Sequence, residues 1–259
     1  MRHQAGVSLL LALLLCVFVT FDAEAGNRLD QILHKKILRV GTPGDYRPFS
    51  MLVDGKYEGH DIDVIESIAK ELNVKVEYVQ TSWSKLMEDL LTDKYDVAVG
   101  GITQNVTRML KADFLTPYAP FGKVALVRTE DKDKFKTPES LNQETVRVIK
   151  NPGGTNEKYV LDNLPKSKVS THEKNAEIPG LIAEGKGDVM ITETYEALLY
   201  SKKDSRLYAA FIDSPLTPTS FMGFMVPLDD VDFSRVMKFT WNMLQLRGVL
   251  DQYAVKWLK

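Results

Sequence analysis

The chain has 259 residues, with 33 Lys and Arg against 35 Asp and Glu, four His and a single Cys. A balance this close to neutral argues against a nucleic-acid-binding surface, which needs a marked basic excess. One cysteine excludes a disulfide framework and a cysteine metal site, and 44% hydrophobic residues suffice for one large or two small cores.

The first segment reads as a secretory leader. Arg2 and His3 precede an apolar run over 7–21, and Ala23-Glu24-Ala25 offers a small-x-small cleavage site, so residues 1–25 are expected to be removed and Gly26 to begin the mature chain. The run falls short of the roughly 20 residues a membrane span needs. Cys16 leaves with the leader, and loss of Arg2, Asp22 and Glu24 brings the formal charge from −2 to −1.

Residues 37–41 form a short β-rich run ending in glycine, and Gly44, Asp45 and Pro48 predict a loop after it. Ile62, Ile65, Ile68, Ala69 and Leu72 repeat at helical spacing and predict a helix over 59–72. Residues 74–79 alternate apolar and polar as a half-buried strand does. A second helix is expected over 83–91, and 96–101 is a strand running into Gly100-Gly101. This β-α-β-α-β succession signals an α/β unit with a largely parallel sheet. The polar stretch 128–140 is the expected linker. The style then repeats, with strands at 146–149, from 169 and at 188–192, and helices at 157–164, 178–185 and 193–200. A strand over 221–226 precedes a helical stretch, 232–258, split at Gly248. Two α/β units side by side make a cleft, with ligands beyond the carboxyl ends of the strands.

Three loops at such ends are candidates for holding a ligand. Gly100-Gly101-Ile102-Thr103 offers close backbone approach and a hydroxyl, and Arg108 adds a planar donor suited to a carboxylate. Residues 151–158, including Gly154, Thr155, Asn156 and Lys158, lead into a helix N-terminus, which favours anions. Glu193 opens a further helix and Glu196 lies near the same face, so the pair would bind an ammonium group or supply a general acid. Tyr46 and Trp83 sit near loop starts, where they would stack on a ligand or pack the rim. His34, His60 and His172 show no metal-type spacing, and neither a nucleophile elbow nor a dinucleotide fingerprint occurs.

The strings 38–42, 44–50, 57–63, 96–103 with Arg108, and 114–118 resemble the type II periplasmic amino-acid-binding proteins of ABC importers. The resemblance implies an α/β fold of two lobes, each a mixed sheet flanked by helices, with the ligand between them. Lobe 1 is then expected over 26–122 with a return segment over 222–259, and lobe 2 over 123–221. Within this group, Gly44-Asp45-Tyr46, Thr81-Ser82-Trp83, the stretch 151–158 and Glu196 are similar to the cyclohexadienyl dehydratases, enzymes on the same fold that turn prephenate into phenylpyruvate and arogenate into phenylalanine. That resemblance implies Glu196 as general acid, Trp83 as a pocket wall, and Arg108, Thr103 and the two glycine loops as holders of carboxylates, with no metal or organic cofactor. The alternative is a non-catalytic receptor in which Arg108 takes an amino acid's carboxylate, Glu193 its ammonium group, and permease subunits are the partner. Glu193 stands where Asp is common in the group, and His60 where an aromatic is usual.

Overall fold

The computed structural model describes residues 28–259; the expected leader, 1–25, lies outside them. Two five-stranded sheets carry the fold. In the first, Lys75–Gln80, Ile37–Thr42 and Val97–Ala98 run parallel. The late strand Met225–Val226 then inserts antiparallel between Val97–Ala98 and Asp113–Phe114. The second sheet has the same plan. Lys168–Thr171, Arg147–Lys150 and Val189–Glu193 are parallel, and Lys123–Arg128 lies antiparallel between Val189–Glu193 and Leu207–Ala210.

The chain passes between the sheets twice, along Tyr118–Phe121 and Ser220–Met222, which pair with each other as a two-stranded antiparallel ribbon. The expected linker at 128–140 is therefore not one. Lys123–Arg128 already belongs to the second sheet, and Phe135 and Leu141 are buried in that sheet's core. The polar residues that suggested a linker coat a short connection whose two apolar side chains point inward.

Helix His60–Glu71 buries Ile62, Ile65, Ile68 and Ala69 against the first sheet, as its spacing predicts. It stops where Asn73 takes a left-handed conformation (φ 54°), which Asn tolerates better than most residues. The second helix begins later than expected, at Leu86, because 83–85 form a turn that aims Trp83 sideways. The strand expected over 221–226 is broken at Gly223–Phe224 into Ser220–Met222 and Met225–Val226, so one piece serves the ribbon and the other the sheet. Asp230 caps Val231–Leu246 by accepting from the Phe233 amide at 2.8 Å, and Gly248 separates that helix from Val249–Leu258. Among the described residues, no helix is long and apolar enough to cross a membrane.

Candidate active site

The cleft lies where both sheets end. From the first sheet's side it is lined by Tyr46, Trp83, Gly101, Thr103 and Arg108; from the second, by Asn151, Gly154, Thr155, Asn156, Asn175 and Glu193. The two walls touch. The Tyr46 hydroxyl donates to Glu193, Thr103 Oγ1 lies 3.3 Å from Thr155 Oγ1, and Asn175 Nδ2 reaches the Asp45 carbonyl at 3.4 Å. A cavity of about 20 Å³ remains, room for about one water, so these halves are shut and must part to admit anything larger. Gly153 permits that closure. It has φ +87°, and a Cβ there would overlap the Ser84 backbone on the opposite wall.

The floor of the first wall is braced from beneath. Asp61, fully buried at the start of helix His60–Glu71, accepts from the Gly100 and Gly101 amides at 2.9 and 2.8 Å and from the Tyr118 hydroxyl. The glycine N–H groups expected to hold a ligand carboxylate are thus already occupied. Gly101 lines the cleft through its Cα, at φ +73°, packed where a Cβ would collide with the Tyr46 and Phe49 rings. His60 fills the usual aromatic position as a ring, stacking on Tyr118 at 5.1 Å while its Nδ1 contacts Asp61 at 2.9 Å.

Arg108 is the cation left for a ligand. Its Nη1 donates to the Thr103 carbonyl at 2.8 Å, and no carboxylate pairs with it among the described residues. Burial lowers its pKa to about 10, with the Glu193 charge opposing, so it stays charged at neutral pH. Trp83 stands edge-on to Tyr46 at 5.7 Å, and its Nε1 donates to Asp45 Oδ1 at 2.9 Å. Asp45 therefore orients the indole from behind and does not itself line the cleft. Burial raises its pKa, against the Trp83 hydrogen bond.

On the second wall, Thr155 and Asn156 begin helix Thr155–Asn163 and face inward, whereas Lys158 does not belong to the site. Asn156 and Val160, four residues apart, share the buried face, and Lys158 sits between them on the opposite side. It is exposed and pairs with Asp162 at 2.7 Å.

Two residues that the sequence reading missed complete this wall. Lys123 heads the strand Lys123–Arg128, whose next four residues are apolar, and the antiparallel register sets it opposite Glu193. Its ammonium donates to Glu193 Oε1 at 2.7 Å, to Thr155 Oγ1 at 3.0 Å and to Asn156 Oδ1. Glu193 Oε2 accepts from Tyr46 and from Asn156 Nδ2 at 3.3 Å. Burial alone would push the Glu193 carboxyl up, but Lys123 and these donors outweigh it and hold the pKa below its usual value. Three hydrogen bonds and the Lys123 charge thus already engage Glu193 before any ligand's ammonium group arrives. The only hint of Lys123 in the sequence is a lysine heading an otherwise apolar run. Asn175, in a polar turn, gives no hint at all.

Glu196 lies in the first turn of helix Thr194–Lys203 and is completely buried. Asn175 Nδ2 donates to its Oε1 at 2.8 Å, and Thr192 Oγ1 bonds its Oε2. No cation pairs with it among the described residues. Burial drives its pKa far above the ordinary carboxylate value; the Thr192 and Asn175 hydrogen bonds oppose this, and the Glu193 and Asp45 charges add to it. Its neutral, protonated form is thus favoured far more than in an ordinary carboxyl group. Asn175, which holds it, forms part of the cleft wall.

Residues 38–259 match the model of the bacterial extracellular solute-binding proteins, family 3. The chain belongs to that family. Within it, the chain is 36% identical to the cyclohexadienyl dehydratase of Pseudomonas aeruginosa over 261 aligned positions, covering 100% of this chain and 95% of that one. It is 28% identical to a probable amino-acid ABC transporter-binding protein of Haemophilus influenzae, over 93% and 91% of the two chains. Among solved structures, it superposes on an ancestral amino-acid-binding protein described as a precursor of cyclohexadienyl dehydratase with TM-score 0.84, 34% identity and coverage of 90% and 100%. An ancestral cyclohexadienyl dehydratase shares 48% identity over 90% and 97%, with TM-score 0.55. The fold is thus the two-lobed type II periplasmic-binding-protein fold, as the sequence motifs implied. Beside its cleft this family-3 protein carries a fully buried carboxyl group, Glu196, with no cation paired to it among the described residues.

Proposed function

We propose that this protein is an exported cyclohexadienyl dehydratase, converting prephenate to phenylpyruvate, arogenate to phenylalanine, or both, with Glu196 as the general acid. The observation that carries the reading is the setting of Glu196: wholly buried, without a cation among the described residues, its pKa raised by burial, and bonded to a residue of the cleft wall. A general acid needs its proton at the working pH, and this environment keeps it there.

Residues 1–25 act as a leader that sends the protein to the periplasm. Residues 26–122 and 222–259 form one lobe and 123–221 the other, hinged at the two-stranded ribbon. The lobes part, substrate enters, and closure excludes water. Arg108 takes a substrate carboxylate, Thr103 and Thr155 add hydroxyl donors, and Trp83, steadied by Asp45, packs against the ring. Glu196 gives its proton to the ring hydroxyl as the C–O bond breaks. The bond to the ring carboxylate breaks in the same sense, its electrons complete the aromatic ring, and water and CO2 leave. General acid catalysis of this kind contributes about 10²–10⁴-fold.

The second reading is an amino-acid receptor of an ABC importer, with permease subunits as partner. The close superposition on an ancestral amino-acid-binding protein favours it. Against it stands Glu193, the carboxylate expected to meet the ammonium group, whose oxygens are held by Lys123, Tyr46 and Asn156. The test is to mix the purified protein with prephenate and follow phenylpyruvate absorbance. Turnover that is lost in Glu196→Gln supports the dehydratase. Absence of turnover, together with a large thermal shift from one free amino acid, would replace it with the receptor.

A further inference from the structure

We infer that Asn175 is a second substrate-facing residue of the dehydration site, one whose side-chain amide holds the Glu196 carboxyl with its nitrogen and receives the departing hydroxyl with its oxygen. The inference rests on the reading of Glu196 as the acid and extends it to the group that aligns acid and leaving group.

Asn175 is 1% exposed and forms part of the cleft wall. Its Nδ2 donates to Glu196 Oε1 at 2.8 Å and lies 3.4 Å from the Asp45 carbonyl oxygen. The nearby Asp45 carbonyl fixes the amide's orientation, since the reverse setting would bring two acceptor oxygens together. Asn175 Oδ1 is then left buried with no hydrogen-bond partner. A buried carbonyl oxygen without a donor is rare in folded proteins and calls for an explanation. Here it is an acceptor at the wall of a ligand cleft, on the same planar carboxamide that grips the acid.

That plane supplies the alignment. A hydroxyl donating to Oδ1 lies alongside the carboxyl group held by Nδ2, within reach of its proton. Asn175 Nδ2 donates to Oε1 and Thr192 Oγ1 donates to Oε2, so the two bonds fix the plane of the carboxyl group. In the reaction the Glu196 proton moves to the substrate's ring hydroxyl oxygen, the C–O bond breaks, and the carboxylate's bond to the ring supplies the aromatising electron pair. One proton from Glu196 thus converts substrate to water, CO2 and the aromatic acid. Glu196 remains as a carboxylate that keeps the Asn175 and Thr192 hydrogen bonds until solvent returns a proton.

The experiment compares wild type, Asn175→Leu and Asn175→Asp with prephenate, recording kcat against pH and thermal melting for each. Asn175→Leu keeps the volume and removes both functions. Its kcat is expected to fall about 10–100-fold, with KM little changed because Arg108 still holds the substrate. The alkaline limb of kcat, where Glu196 loses its proton, is expected to move to higher pH, since a donor that favoured the anion is gone. A purely structural role would reduce the amount of folded enzyme and leave that limb in place. Asn175→Asp keeps an acceptor without the donor, and its kcat is expected to stand several-fold above that of Asn175→Leu. Wild-type kcat and limb position in Asn175→Leu would overturn the inference while leaving Glu196 as the acid. Equal loss in the two variants would overturn the hydroxyl contact. If wild type itself gives no phenylpyruvate, the dehydratase reading fails and this inference with it.

Discussion

Glu193 and Glu196 leave the same strand end three residues apart, and both are buried, yet the fold shifts their pKa values in opposite directions. Glu193 ends a strand whose antiparallel neighbour places Lys123 directly opposite, and two further donors close around it. Glu196 has turned into the next helix, where it meets only an amide and a hydroxyl. Glu193 also acts on Glu196, because its negative charge makes a second one there costlier. Burial pushes both carboxyl groups up, and the presence or absence of one cation decides whether that shift is reversed.

The contrast can be broken most severely at Glu196. Glu196→Gln keeps the shape and hydrogen-bonding size but has no proton to give, and phenylpyruvate formation should fall by about 10²–10⁴-fold with the fold intact by circular dichroism. Next in size is the pair itself. Lys123→Met leaves Glu193 as a buried charge without its cation, and denaturant unfolding should show a loss of about 3–5 kcal/mol. Closure comes third. Gly153→Ala forces a left-handed alanine into the Ser84 backbone, so KM for prephenate should rise about tenfold, roughly 1.4 kcal/mol, with less effect on stability.

The smallest effect is the sharpest in sign. A carboxyl whose folded pKa is raised stabilises the protein below its unfolded value of about 4.5, and that contribution is lost as pH rises towards the folded value. Glu196→Gln should therefore melt at or above the wild-type temperature at pH 7, with the gap closing below about pH 4.5. Glu193, whose folded pKa is lowered, behaves oppositely: its contribution is present above about pH 4.5 and is lost as pH falls through the folded value. Glu193→Gln should therefore melt below wild type at pH 7.

The features legible in the sequence were local ones. The spacing of Ile62, Ile65 and Ile68 announced a helix, Gly248 its later counterpart's break, and the strand-end motifs placed Thr103, Arg108, Thr155 and Asn156 at the cleft. Glu196 was legible as a general acid, but the Thr192 and Asn175 hydrogen bonds that hold it were not, since they depend on how strand and turn pack around it. Lys123 escaped because its partner is 70 positions away and only the sheet register brings them together. The Gly100 and Gly101 amides were assigned to a ligand because nothing local shows that Asp61, some 40 positions earlier, accepts from both. Lys158 was included because a loop motif does not reveal which face of the following helix is buried.

The difference between the two carboxyl groups can be read without substrate. Infrared difference spectra between wild type and Glu196→Gln at pH 7 should contain the carbonyl stretch of a protonated carboxylic acid, present only in wild type. The corresponding difference for Glu193→Gln should contain the bands of a carboxylate. A carboxylate signature for Glu196 at pH 7 would contradict the account, because a residue already ionised has no proton to give the departing hydroxyl.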